Sequence, residues 1–193
     1  MQEGATQRIT ITLEEGSVFS YAPHPVVPHE NSKFSSHTVA YLEKDCQLLL
    51  SDIITCGRKY SGEVFKFTSF QNLTEVFYQK KLVLKDNIFL SPGLSPLSTI
   101  GMLGDYTHQG TLNYISTGKE SASAYVETIV EAMQGEMGII FGISKLSVNG
   151  FVLRVLGQGG EQLYNCFRNV QNILWCNRVH AAGMSLNSKV VQV

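Results

Sequence analysis

The chain has 193 residues, 44% hydrophobic and 16% charged, with 15 basic and 16 acidic side chains and a net charge of −1. This is enough apolar material for one domain with its own core, and too much for a disordered chain. Balanced charge without a basic run gives no footprint for nucleic acid. No apolar stretch is long enough to span a bilayer, and MQEGATQRIT at the start has no apolar h-region, so neither a membrane segment nor a signal peptide is expected.

The first two thirds of the chain predict strands. Ile9, Ile11 and Leu13 alternate with Arg8, Thr10 and Thr12, a half-buried strand ended by Glu14-Glu15-Gly16. A second covers 18–21. Three prolines in 22–31 (APHPVVPHEN) then forbid regular ladder pairing. Further strands are predicted over 38–42, 47–55, 63–68, 73–78, 82–84, 88–90 and 110–116. The polar turns between them are Glu43-Lys44-Asp45, Gln71-Asn72, Gln79-Lys80-Lys81 and Lys85-Asp86-Asn87, with a Pro/Gly/Ser loop over 91–99. Many short strands at close spacing fit a meander, a sandwich or a solenoid, and no clear repeat chooses among them.

Two helices come late. Residues 119–134 carry an apolar stripe of Ala122, Tyr125, Val126, Ile129, Val130 and Met133, with Ser116 or Thr117 as cap. Residues 138–143 and 151–156 predict a hairpin around Val148-Asn149-Gly150. A second helix over 161–182 buries Leu163, Phe167, Val170 and Leu174. Glu161 suits its start, Arg178 and His180 suit its end, and Gly183 its C′ position. The chain is thus expected to be one domain over 1–193, strand-rich over 1–116 and helix-containing over 117–193. Cys46, Cys56, Cys166 and Cys176 show no CxxC spacing and are expected as free, buried thiols.

The segment 56–67, CGRKYSGEVFKF, is the densest in chemistry. Gly57 and Gly62 free the backbone on either side of Arg58, and Glu63 opens the predicted strand. It is either a site for a partner or an ion, or a corner fixed by an Arg58–Glu63 pair. His24, His29 and Glu30 in the proline loop are candidate ligands for nickel or zinc, or simply solvated. Asp105-Tyr106-Thr107-His108 offers acid–base chemistry or a structural histidine. Glu63, Asp86 and Asp105 are candidate glycosidase carboxylates, but the lone Trp175 leaves little to hold a sugar. Gly157-Gln158-Gly159-Gly160 sits where a dinucleotide fingerprint would, yet Gln162 replaces its third glycine and Glu161 would repel phosphate.

In order along the chain, YAPHPVVPHENSKF (21–34), GRKYSGEVFKF (57–67), LKDNIFLSP (84–92), DYTHQGTL (105–112), VLRVLG (152–157) and LWCNRV (174–179) resemble the urease accessory protein family UreD, also called UreH. The resemblance implies a mainly β fold, with many short strands in a β-helix-like stack and two α-helices in the C-terminal third. It implies a cytoplasmic, non-enzymatic scaffold that binds apo-urease and UreF, reaches the GTPase UreG through UreF, and supports nickel delivery. No tightly bound cofactor is implied, only transient nickel, and neither nucleic acid nor membrane is a partner. Gly57, Arg58, Gly62, Glu63, Asp86, His108 and Arg154 fall at motif positions for partner binding or ion passage, with His29, Glu63 and His108 as candidate metal ligands. MQEGATQ is similar to an internal stretch of the family, which implies missing upstream strands and an uncovered edge prone to self-association. His29 stands where the family has an apolar aromatic. The rival expectation is a β-solenoid carbohydrate enzyme using Glu63 and Asp86.

Overall fold

The structure, a computed structural model, describes residues 4–182. Among the described residues nine strands form two sheets. The first holds β1 (Ala5–Leu13), β3 (Lys33–Leu42), β5 (Ser69–Tyr78) and β6 (Lys81–Leu90), in that order. The second holds β2 (Val18–Tyr21), β4 (Gln47–Ile54), β7 (His108–Ser116), β9 (Gly150–Gly157) and β8 (Ile140–Lys145). Up to β5 the chain alternates between sheets, so β1, β3 and β5 pair in parallel, as do β2 and β4. The remaining pairs are antiparallel. The expectation of a mainly β fold with two helices holds, but only the helix Gly160–Ala182 lies in the C-terminal third, and the β-helix-like stack is corrected to a two-sheet sandwich of mixed sheets, neither a barrel nor a solenoid.

Between the sheets lie two apolar clusters. One joins Ile11, Leu13, Ala40, Leu42, Val76 and Leu84 to Leu48, Leu50 and Ile115. The other gathers Ile54, Phe67, Phe70, Ile88, Leu90, Leu97 and Leu103. A third cluster lies on the outer face of the second sheet, where Leu49, Ile53, Leu112, Tyr114, Leu153 and Val155 meet the helices α1 (Val126–Gln134) and α2 (Gly160–Ala182). The stripe predicted for α2 is buried there: Leu163, Phe167, Val170 and Leu174. The side chains of Cys176, Arg178 and His180, and all of Gly183, lie outside the described residues.

Several expected boundaries are corrected. Gln71-Asn72 and Lys85-Asp86-Asn87 are not turns: each lies inside a ten-residue strand. Asn72 and Asp86 take inward positions in strands that otherwise alternate normally, so polarity mimicked a turn without breaking the ladder. The turn expected at Gln79-Lys80-Lys81 is present as a two-residue Gln79-Lys80 connection, with the φ of 50° and 63° that type I′ requires. Residues 63–68 alternate in sequence but form no strand. The Glu63 N–H donates to Arg58 O, the Phe65 N–H to Cys56 O and the Thr68 N–H to Ser32 O, so the backbone groups are spent on the corner and the adjoining loop rather than on a ladder. The first helix is shorter than expected, with a 3-10 turn at Ala122–Tyr125 ahead of α1. Neither Ser116 nor Thr117 caps it. Thr117 Oγ1 accepts from Cys46 N–H and donates to Glu43 O, while Asn149 Oδ1 accepts from Ala122 N–H at 2.7 Å. The three described cysteines, Cys46, Cys56 and Cys166, are free and buried.

Candidate functional site: a polar tract between the sheets

Strand alternation places polar side chains where a sandwich normally holds apolar ones. On the first sheet, register aligns Gln7, Ser36 and Asn72 in one row, and Thr38, Thr74 and Asp86 in the next. Ser36, Thr38, Asn72, Thr74 and Asp86 are all buried. On the second sheet, Leu112 and Tyr114 of β7 face the helices, so Thr111 and Asn113 face inward. The same alternation turns Asp52 and Arg154 inward, and register sets Asp52, Thr111 and Arg154 side by side on β4, β7 and β9. Thr111 Oγ1 and Asn113 Oδ1 are buried without a hydrogen-bond partner, which is uncommon in a folded interior.

These residues form a tract between the two inter-sheet clusters. A cavity of about 230 Å³ occupies part of it, reaching from Gln7, Tyr21 and Pro23 to Asp52, Asn72 and Thr74. Burial pushes the Asp52 carboxyl up to about 7; the Asp86 charge adds to the shift, while the Asn72 hydrogen bond and Arg154 oppose it. At the other side, Arg154 Nη2 of β9 donates to Asp86 Oδ1 of the edge strand β6 at 2.5 Å and ties the two sheets together. The Asp86 side chain is 11% exposed and that of Arg154 is 56% exposed.

The corner over 56–67 is a separate construction. Gly57 has φ of 112°, and a Cβ there would lie 2.7 Å from Glu63 O. Gly62 closes the 3-10 turn Lys59–Ser61 with φ of 78°. The Arg58 guanidinium grips the Glu63 carboxylate through Nε and Nη2, and Glu30 N–H donates to the same carboxylate at 3.2 Å. These bonds, Arg58 first, hold the Glu63 carboxyl below its ordinary value, with burial opposing. Phe65 follows with φ of 54°, strained for an aromatic residue. Nearby, His108 hydrogen-bonds Thr107 Oγ1 through Nδ1. Burial, then the Lys59 charge, pushes its imidazole down to about 4, so it is neutral near pH 7.

The predicted residues therefore divide into two pairs and a single. Arg58 meets Glu63, Asp86 meets Arg154 across 68 positions of sequence, and His108 bonds its own neighbour. His29, Glu63 and His108 are not gathered as a ligand triad: among the described residues no three His, Cys, Asp or Glu side chains group to hold a metal. His24 stacks on Tyr164 at 4.8 Å. Gly160 admits Pro25 and Thr55 closely, so the glycine turn ahead of α2 serves packing. Glu63, lowered and forked by Arg58, lacks the raised carboxyl a glycosidase acid needs. Asp52, Asn72, Thr74, Thr111 and Asn113 were missed; their signal was a polar residue at an inward position of an apolar alternation. Among the described residues no helix is long and apolar enough to cross a membrane.

The fold is a two-sheet β scaffold whose apolar inter-sheet core is interrupted by a buried polar tract. The sequence pattern of the UreD urease accessory proteins matches residues 1–187, and the chain belongs to that family. It is 51% identical over 175 residues to the urease accessory protein UreD of Flavobacterium johnsoniae, covering 91% of this chain and 63% of that protein. It is 33% identical to the UreD of Lachnoclostridium phytofermentans, covering 83% of this chain and 58% of that one. The UreD of Acetivibrio thermocellus is 30% identical, over 89% of this chain and 64% of its own length. The chain thus spans about three fifths of the length of these relatives.

Proposed function

We propose that the protein is a scaffold for urease maturation that binds apo-urease and UreF, reaches UreG through UreF, and passes nickel along the polar tract between its sheets. Membership of the UreD family supports the scaffold role. The observation that carries the passage is the facing of buried Thr38 and Thr74 on one sheet by half-buried Asp52 and buried Thr111 on the other, with the cavity that opens onto Asp52. Its oxygen donors suit a hydrated divalent cation held weakly enough to be released. Asp52 has the role of a way-station: its carboxyl gives up a proton near neutral pH as the cation arrives. The Arg58–Glu63 corner fixes the loop it shares with Glu30, and its exposed arginine faces a partner.

The test is co-expression of the full-length protein with urease, UreF and UreG, in the wild type and in Asp52→Asn. The ternary complex should be recovered in both, while urease nickel content falls several-fold in the variant. Recovery of no complex would refute the scaffold role; unchanged nickel content would refute the passage.

A further inference from the structure

Resting on the reading of the tract as a cation passage, we infer that Arg154 is a displaceable plug, closing the β6–β9 mouth by occupying the Asp86 carboxylate that a divalent cation must take in order to cross. Asp52, Asn72 and Thr74 line the cavity, and Asp86, Thr111 and Arg154 do not. The polar row does not end there. Thr74 has Asp86 as its register partner on β6, and Asp52 is followed by Thr111 and then Arg154 on the other sheet. The Thr111 Oγ1 and Asn113 Oδ1 atoms of β7, unpartnered and buried, extend the tract beyond the cavity toward β9. The Arg154–Asp86 bond then closes it from sheet to sheet.

The two partners are unequally held. Asp86 sits inside on β6, whereas more than half of the Arg154 side chain is already in solvent. Arg154 therefore has room to swing outward on its flexible stem, and Asp86 does not. A monovalent cation competes poorly with a guanidinium for a carboxylate, but a divalent one carries twice the charge and can replace it. The pair thus acts as a charge threshold: the mouth opens to an ion that outcompetes arginine and closes once it has left. Nothing in such a device requires a preformed ligand cage.

Nickel binding to the isolated full-length protein, by titration calorimetry near pH 7.5, tests this directly. Arg154→Gln and Arg154→Met remove the charge and free Asp86. Both should bind Ni²⁺ at least about tenfold more tightly than the wild type, and adding Asp86→Asn should abolish the gain. Arg154→Lys should stay within about twofold of the wild type. In co-expression with urease and its accessory proteins, Arg154→Gln should load nickel faster, a gain that a misfolded variant could not give. Affinity and loading at or below the wild-type level in both charge-removing variants would overturn the plug. If Asp52→Asn still impairs loading in that case, the passage stands without its plug; if Asp52→Asn loads normally, the passage itself falls.

Discussion

Replacing Asp52 with asparagine should stabilise the protein, and only above the acid range. The Asp52 carboxyl titrates at 3.8 in the unfolded chain and at about 7 when folded. The folded state therefore holds the proton more tightly. This group's contribution is complete below pH 3.8, declines as pH rises toward 7, and is constant beyond. At roughly 1.4 kcal/mol per pH unit, the whole interval corresponds to about 4 kcal/mol. Asp52 lines a cavity that admits water, and solvent screening brings the expected figure to about 2–3 kcal/mol. Asparagine matches the protonated carboxyl in shape and keeps a donor and an acceptor for Asn72. Urea unfolding of both forms at pH 4 and pH 8 isolates the term, since every other titration cancels in the difference. The variant should match the wild type at pH 4 and exceed it by about 2–3 kcal/mol at pH 8. A gap of equal size at both pH values, or a wild type that is more stable at pH 8, would refute the placement of Asp52 in the low-dielectric row.

His108 should act in the opposite direction. Its imidazole falls from 6.5 to about 4 on folding, so its contribution is complete above pH 6.5 and is lost as pH drops toward 4. His108→Gln should remove up to about 3 kcal/mol of acid sensitivity, visible as a flatter dependence of the unfolding midpoint on pH between 4.5 and 6.5. Gly57→Ala should destabilise the fold by about 2 kcal/mol or more, because alanine meets both a left-handed φ and the Glu63 carbonyl. A thermal melt unchanged from the wild type would show that the corner is not built this way.

Alternation made the strands legible, and the motif order made the family legible. β1 follows from side-chain alternation, β4 from a continuous apolar run, and the stripe of α2 from the helical period. The misreadings share one physical origin. Asn72 and Asp86 are polar because the interior between the clusters is polar, and polarity in a short window is the same signal that marks a turn. Residues 63–68 erred in the other direction: Val64, Phe65 and Phe67 have strand chemistry, but positive φ at Gly57, Gly62 and Phe65 bends the backbone out of the pleat. The Asp86–Arg154 pair joins residues on different sheets, so no local window could reveal it. Asp52 was hidden for the converse reason, as one acid in the apolar run LLLSDII whose partners lie on β5, β6 and β9. The Asn149 bonds to Glu120 and Ala122 likewise needed the hairpin to fold back before the cap could be seen.

The division of the sandwich into parallel and antiparallel halves sets an order of assembly. The β5–β6 and β8–β9 hairpins close over short turns, whereas parallel partners lie 29 residues apart at Ala5 and Phe34, and 36 apart at Lys33 and Ser69. Closing the longer loops costs more chain entropy before any ladder forms, so the hairpins take shape first and β1 and β2 are laid down last. Among the described residues β1 and β2 are paired on one side only, as are β6 and β8, but unlike those two they are not tied to their partners by a hairpin, so early exchange of their amide hydrogens is expected. Gln7, Ile9 and Tyr21 line the cavity from those strands. Its wall on that side is therefore built from strands that local opening can release, a route by which water would reach the cavity while the rest of the fold stays intact.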